Sequence, residues 1–371
     1  LHATFRRSGR VDAEQGFDID YYDMHWLPRG LALSKDAVWR CDLLGGGRVL
    51  GFADRVKKYR TLEKLAFEFG WEFGEGWIAG NAGDGRPAQH VVGKPVVRAE
   101  ALLDSDLLSS SFNQVPNIPI QRPRCPEIFS PPLLLIHKHE DLNFGTWNGE
   151  YLTYRHTIVG FSAASGDQEN LKKAASWLKS QKRVLQAIIA LAGTAAFASK
   201  ATAVLSGDIL QLPFPEDWDL KLSSHEEILV ADIVDHYRDI IRLGEDSVAM
   251  KEPGVLALPA FNDVFAARIN GVYKRNQLRA LEAHTWPGVI CQPYIFGGGE
   301  VDWTDANELR GKLDALLRER RGGGLNVTRI ARIYDGACIF LIKPDRLRYW
   351  LRSIALRDAD ETLADLAEQG F

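Results

Sequence analysis

The sequence predicts a mixed α/β fold in which small mixed sheets accompany a large helical portion, and three observations carry that expectation. Short runs rich in aromatic and β-branched residues, such as Leu133 to His139 and Tyr151 to Ala163, read as strands. Longer stretches with apolar residues at every third or fourth position, above all Gln168 to Ala198 and Ser223 to Leu243, read as helices. Glycine and proline breaks punctuate the chain, with no fixed-period repeat and no low-complexity tract. At 371 residues and 46% hydrophobic, the chain can bury one large core or two ordinary ones.

Residues 1–112 read as a connector and small α/β subdomain, broken at Gly45-Gly46-Gly47, Gly74, Gly76 and Asn81-Ala82-Gly83. Within it, Thr61 to Phe69 has helical spacing, with Leu62, Leu65 and Phe69 on one side and Phe67 off that line. Residues 113–222 read as a second region with a core of its own. They open with an extended crossing through Pro116, Pro119, Pro123, Pro126, Pro131 and Pro132, because proline removes amide donors and restrains its predecessor. The two strands follow, then the Gln168 to Ala198 helical block with a break near Ser180, then a Gly207-Asp208 turn before Leu210 to Phe214.

Residues 223–371 read as a helical portion closed by a basic β-hairpin and helix. Ser223-Ser224-His225-Glu226-Glu227 offers overlapping serine-to-glutamate caps for a helix that reaches Leu243 and stops at Gly244. Further helix is expected over Phe261 to Leu281 and Asp305 to Arg320. Leu325 to Ile333 and Ala337 to Ile342 read as strands joined at Tyr334-Asp335-Gly336, since Asp-Gly tolerates the positive φ of a tight hairpin. Pro344 is placed to occupy the first turn of a last helix running toward Glu368.

Composition and motifs exclude several classes. Cys41, Cys125, Cys291 and Cys338 lie too far apart for a zinc ribbon, and a reduced, cytoplasmic setting is expected. No apolar run is long enough for a transmembrane helix, so no membrane partner is expected. Ser130-Pro131-Pro132-Leu133 lacks the aromatic that an adenine-methylating loop stacks on its extruded base, and the apolar residues after it read as a strand entering a core. Phe296-Gly297-Gly298-Gly299-Glu300 reads as a plain turn rather than a methyl-donor loop. His137 and His139 share one side of a strand, a spacing open to a metal or to a satisfied pair beside a surface turn. No P-loop, zinc-protease helix or serine elbow is present, so no residue of this chain is assigned to catalysis, cofactor or metal binding.

The net charge of −4 argues against a tail-like DNA binder but leaves room for a local basic face. Arg318, Arg320, Arg321, Arg329, Arg332, Lys343, Arg346, Arg348, Arg352 and Arg357 crowd the end of the chain. Arg346, Arg348 and Arg352 are candidates for phosphate contact, with Tyr349 or Trp350 packed at the edge of their face. The alternative is a solvated helix whose arginines meet Asp358, Asp360 and Glu361. Lys172, Lys182 and Arg183 form a second basic set, and Tyr154, Arg155 and His156 place aromatic and cationic groups where base edges could be read. Alternation along that strand allows only some of them to face outward.

Phe129-Ser-Pro-Pro-Leu-Leu-Leu-Ile-His-Lys138, Leu152-Thr-Tyr-Arg-His-Thr-Ile-Val-Gly160 and Leu210-Gln-Leu-Pro-Phe-Pro215 resemble the target-recognition region of large adenine-N6 DNA methyltransferases with a TaqI-like specificity domain. The likeness is to restriction-modification or phage-defence enzymes, and Val38 to Gly47 and Ile342 to Asp360 extend it toward both ends. The resemblance implies a DNA-binding role on double-stranded DNA. It also implies S-adenosylmethionine bound by a methyltransferase catalytic domain, attached or separate, and leaves room for other defence proteins as partners. The chain opens at Leu1 without methionine, and a later portion of a longer enzyme or a separated subunit is expected. The rival reading is a protein-interaction subunit of an antiviral complex.

Overall fold

The computed structural model describes residues 17–24, 27–33, 37–81, 83, 85–194, 204–301, 303, 317–321 and 325–371. It has a mixed α/β fold of several small sheets and a substantial helical portion. The chain divides into two compact units, Gly51–Lys221 and the paired segments Leu1–Leu50 and Leu222–Phe371. Residue 112 and the prolines from Pro116 to Pro132 lie inside the first of these units.

Gly51–Lys221 is built on a five-stranded sheet in the order Glu72–Glu75, Ile158–Ser162, Leu133–His137, Phe144–Trp147, Ser105–Asp106. The first four strands pair antiparallel and the last joins in parallel. Leu133–Ile136 and Ile158–Ser162 are buried without a break, which explains continuous apolar runs in place of alternation. Successive side chains still go to opposite faces. Leu133, Leu135 and Ile158 enter a core with Trp77, Phe129 and Tyr154, whereas Phe161 meets Phe73 and Trp71. The helix Gln168–Ser180 packs on the strands Leu133–His137 and Phe144–Trp147.

Local chemistry sets the helix ends. Asp167 accepts the Asn170 amide at 3.0 Å to start Gln168–Ser180, and Lys182–Ala192 follows after Gln181, so the expected break near Ser180 is present. Of the continuation to Ala198, residues 195–198 lie outside the described residues. Thr61 caps Leu62–Glu68 from one side only, accepting the Lys64 amide at 3.3 Å. Leu62 and Leu65 are buried there and Phe67 is 69% exposed.

Two expectations in this unit are corrected. The Gly207-Asp208 turn is instead a short helix, Ser206–Leu210, because the Asp208 carboxylate accepts the Leu205 amide at its start. Beyond that helix Pro213 forms an isolated bridge with Thr61. The strand expected from Tyr151 to Ala163 is two pieces, Thr153–Tyr154 and Ile158–Ser162, with a tight turn between them.

In the other unit, Val289–Phe296 pairs along its length with Cys338–Pro344, which pairs in turn with Ala331–Asp335. Its opposite edge is shared by Leu278–Ala280 and His284–Trp286. Pro293 faces the gap between those two short strands, where its missing amide costs no ladder bond. The helix Arg352–Glu368 packs against Ala257–Asn270 and Ser224–Asp232. The Ser223–Glu226 capping box forms as expected, and the helical run, with a π turn at Ile233–Tyr237, ends at Leu243 before Gly244 at φ 57°.

Four expectations differ here. Helix stops at Asn270, whose side-chain amide bonds both the N–H and the C=O of Leu278 and so starts a strand. Residues 305–316 of the helix expected from Asp305 lie outside the described residues, and Arg318–Arg321 is a strand paired with Leu325–Thr328. The strand expected from Leu325 to Ile333 is split, Leu325–Thr328 joining Phe17–Asp20 and Ala331–Asp335 joining the larger sheet. Pro344 ends a strand, and the last helix starts only at Arg352, after a turn at Leu347–Trp350. The hairpin between Asp335 and Cys338 turns at Gly336, φ 55°, as Asp-Gly predicts.

Candidate nucleic-acid interface

The turn from Tyr154 to Ile158 is held on both sides by main chain. Trp77 donates its amide to the Tyr154 carbonyl at 3.0 Å, and His156 returns an amide to the Trp77 carbonyl at 3.1 Å. Ile158 closes the turn on the Arg155 carbonyl at 2.9 Å. A Cβ on Gly76 would stand 1.9 Å from the Tyr154 carbonyl oxygen, so this close approach of backbones requires glycine.

Alternation then sends neighbouring side chains opposite ways. Tyr154 is wholly buried, its ring lying against Gly160 and its hydroxyl donating to the Ile128 carbonyl at 3.1 Å. Arg155 is exposed, with its guanidinium carbon 5.4 Å from the centre of the buried Trp77 ring. His156 is half-buried and, among the described residues, its Nδ1 has no hydrogen-bond partner.

Two cations, Lys138 and Arg124, act on this turn beside its own Arg155. Burial, and then the charges of Arg155, Lys138 and Arg124, hold the His156 imidazole below its ordinary 6.5, with Glu75 opposing. Glu75 accepts from Lys138 Nζ at 2.5 Å and from Arg124 at 3.0 Å. Burial would raise the Glu75 carboxyl, but Lys138, Ser206 and Arg124 outweigh it and bring it below 4.5. Among the described residues Arg155 pairs with no carboxylate, and its N–H groups are left for an external acceptor.

The other candidates fare differently. Lys172 is exposed on the helix Gln168–Ser180 and Arg183 on the helix Lys182–Ala192. Lys182 is held by Asp104 at 2.5 Å and Asn143 at 2.7 Å. In the other unit Arg346 is 3.9 Å from Glu245, and Arg352 is exposed at the first turn of the last helix. Arg348 is 3% exposed and bonds Asp20 and Asp23, each at 2.5 Å.

Tyr154 and Arg348 are therefore corrected as contact candidates, since both side chains lie in the interior. So is the aromatic edge expected at Tyr349 and Trp350, which are buried. Conversely, Trp77, Arg124, Lys138 and Glu75 were not singled out from sequence. They come from three separate segments, and no spacing signals their convergence.

Ser130-Pro131-Pro132 enters the buried strand at Leu133, and Ser162 donates to the Ser130 carbonyl at 2.5 Å. The Gly297 and Gly299 carbonyls accept from Arg279, as a fastened turn. The His137 and His139 rings stack at 5.3 Å, and His139 Nδ1 lies 3.1 Å from Asp141. Among the described residues no group of three or more His, Cys, Asp or Glu could hold a metal ion. Nor is any described helix long and apolar enough to cross a membrane. Among the described residues no disulfide joins the four cysteines, and Cys125 is exposed. No protein-family model matches the chain, and no curated protein matches it.

Proposed function

We propose that this chain is the DNA-binding, target-recognition portion of an adenine-N6 DNA methyltransferase of restriction-modification or antiviral defence type. The observation that carries the reading is the Arg155 turn. A guanidinium with no carboxylate partner among the described residues, within 5.4 Å of the centre of a buried indole, stands near Lys138, Arg124 and His156. That turn belongs to the segment from Leu152 to Gly160 on which the resemblance rests. Phosphate contacts would set register while side chains of the turn test base edges in the groove. Methyl transfer, with its S-adenosylmethionine, would belong to an attached or partner catalytic domain, to which the protein delivers a duplex eased toward base extrusion.

A second reading, a protein-interaction subunit of a defence complex, is favoured by Leu103 and Leu108, each 71% exposed on the same unit as the turn. Titration of the chain with a fluorescently labelled duplex at several salt concentrations separates the two. The DNA reading expects affinity that falls steeply and linearly with log salt, one counterion release for each phosphate met. No measurable binding to any duplex at low salt would leave the interaction reading in its place.

A further inference from the structure

We infer that Arg155 reads a guanine in the major groove, so that the target of this chain contains at least one G·C pair recognised at the guanine edge. The inference rests on the DNA-binding reading above and adds the class of base.

An exposed arginine held only by its flexible stem is suited to a phosphate, which accepts from many directions. Arg155 is held more tightly than that. Main-chain bonds between Trp77 and the residues on either side of it, Tyr154 and His156, fix its Cα. The guanidinium carbon lies 5.4 Å from the centre of the Trp77 ring, within cation–π reach. The planar guanidinium presents two parallel N–H groups, and among bases its complement is a pair of acceptors side by side. In the major groove only guanine offers that pair, through N7 and O6.

Adenine shows an acceptor beside a donor and is matched by Asn or Gln, neither of which occurs between Tyr154 and Ile158. Cytosine offers a donor, which a guanidinium cannot accept. Phosphate attraction is supplied beside the turn by Lys138 and Arg124, whose common carboxylate, Glu75, holds them in place.

Selection of binding sites from a randomised duplex library, with the wild-type chain and with Arg155→Ala and Arg155→Lys, tests this. Melting curves confirm that each variant is folded. The wild type is expected to select a site with an invariant guanine. Arg155→Ala should relax that position alone and weaken the selected site by about ten- to a hundredfold. Arg155→Lys, which keeps the charge and loses the fork, should relax it too. Replacing that guanine by 7-deazaguanine should weaken the wild type by about tenfold and leave Arg155→Ala unchanged. Uniform weakening of every duplex by Arg155→Ala, restored by Arg155→Lys, would make Arg155 a phosphate contact and overturn the inference. Duplex binding with no invariant guanine would overturn it while leaving the DNA reading standing. Absence of duplex binding at low salt would end both.

Discussion

The basic end of the chain and the Arg155 turn look alike as strings of letters and differ in what answers their charge. At the end of the chain most cations are met from within the same unit. Arg348 bonds Asp20 and Asp23, and Arg332 and Arg357 share Glu361, while Asp360 is taken by Arg48 and Arg268 from earlier in the chain. Lys343, wholly buried, bonds Asp358 and the Tyr349 carbonyl, with the rings of Phe261 and Trp350 at 4.1 and 4.7 Å. At the turn, two cations share Glu75 and Arg155 lies on an indole. The difference teaches that a density of arginines in sequence measures the need for neutralisation as readily as an affinity for phosphate.

The largest expected effect tests the interior half of that contrast. Lys343→Met should strand the Asp358 carboxylate, leaving Tyr22 as a donor to it, and lower the stability of its unit by about 3–5 kcal/mol. Arg348→Met should cost a comparable or slightly smaller amount, about 3 kcal/mol, because Asp20 and Asp23 lie nearer the surface. Urea melts measure both. For Arg348→Met the salt slope of duplex binding, taken on the folded protein, should stay unchanged. Loss of less than about 1 kcal/mol in both variants would remove the claim that these cations serve the interior.

How much of this was legible depended on the range of the interaction. The Ser223 box, the Asp335-Gly336 hairpin and the helix break at Ser180 are local chemistry, written within a few residues, and could be read. Strand limits were less legible, because the Asn270 side chain that starts Leu278–Ala280 acts through contacts that periodicity does not encode. The site was legible in part. Arg155 and His156 could be singled out by type, and alternation required one neighbour to point inward, but the burial of Tyr154 depends on Gly160, where a Cβ would meet its ring. Arg348 was misread because its partners lie more than three hundred residues upstream. The carboxylates that seemed its natural partners are occupied elsewhere, Asp358 by Lys343 and Asp360 by Arg48.

A smaller effect sharpens the other half of the contrast. Glu75→Gln removes the carboxylate shared by Lys138 and Arg124 while keeping a hydrogen-bond acceptor. It should lower stability by about 1 kcal/mol, since the pair is partly exposed and screened. It should also raise duplex affinity by about two- to fivefold and steepen the salt dependence, because a negative charge near the DNA has been removed. Anisotropy titrations check both. Weaker binding with an unchanged slope would show that Glu75 matters as an anchor for the cations rather than as a counter-charge. The same carboxyl sets an acid limit. Its folded value lies below 4.5, so its contribution is complete above the ordinary value and is lost as pH falls through the folded one.

The smallest effect, and the most specific, belongs to His156. Its folded value lies below the ordinary 6.5, through burial first and the neighbouring cations second. Between the folded value and 6.5 the unfolded chain binds more protons than the folded one, so stability in that window rises with pH and is lost on acidification. DNA has the opposite sign. A phosphate or base acceptor at the turn favours the imidazolium and raises the value in the complex, so duplex affinity should increase as pH falls below 6.5. The gain is bounded by the shift that the duplex restores, about a fewfold. His156→Ala should flatten both trends together, with no change in binding at pH 8. If affinity is pH-independent in the wild type while stability still falls on acidification, the imidazole titrates away from the DNA, and the reading surface narrows to Arg155 and the cations held by Glu75.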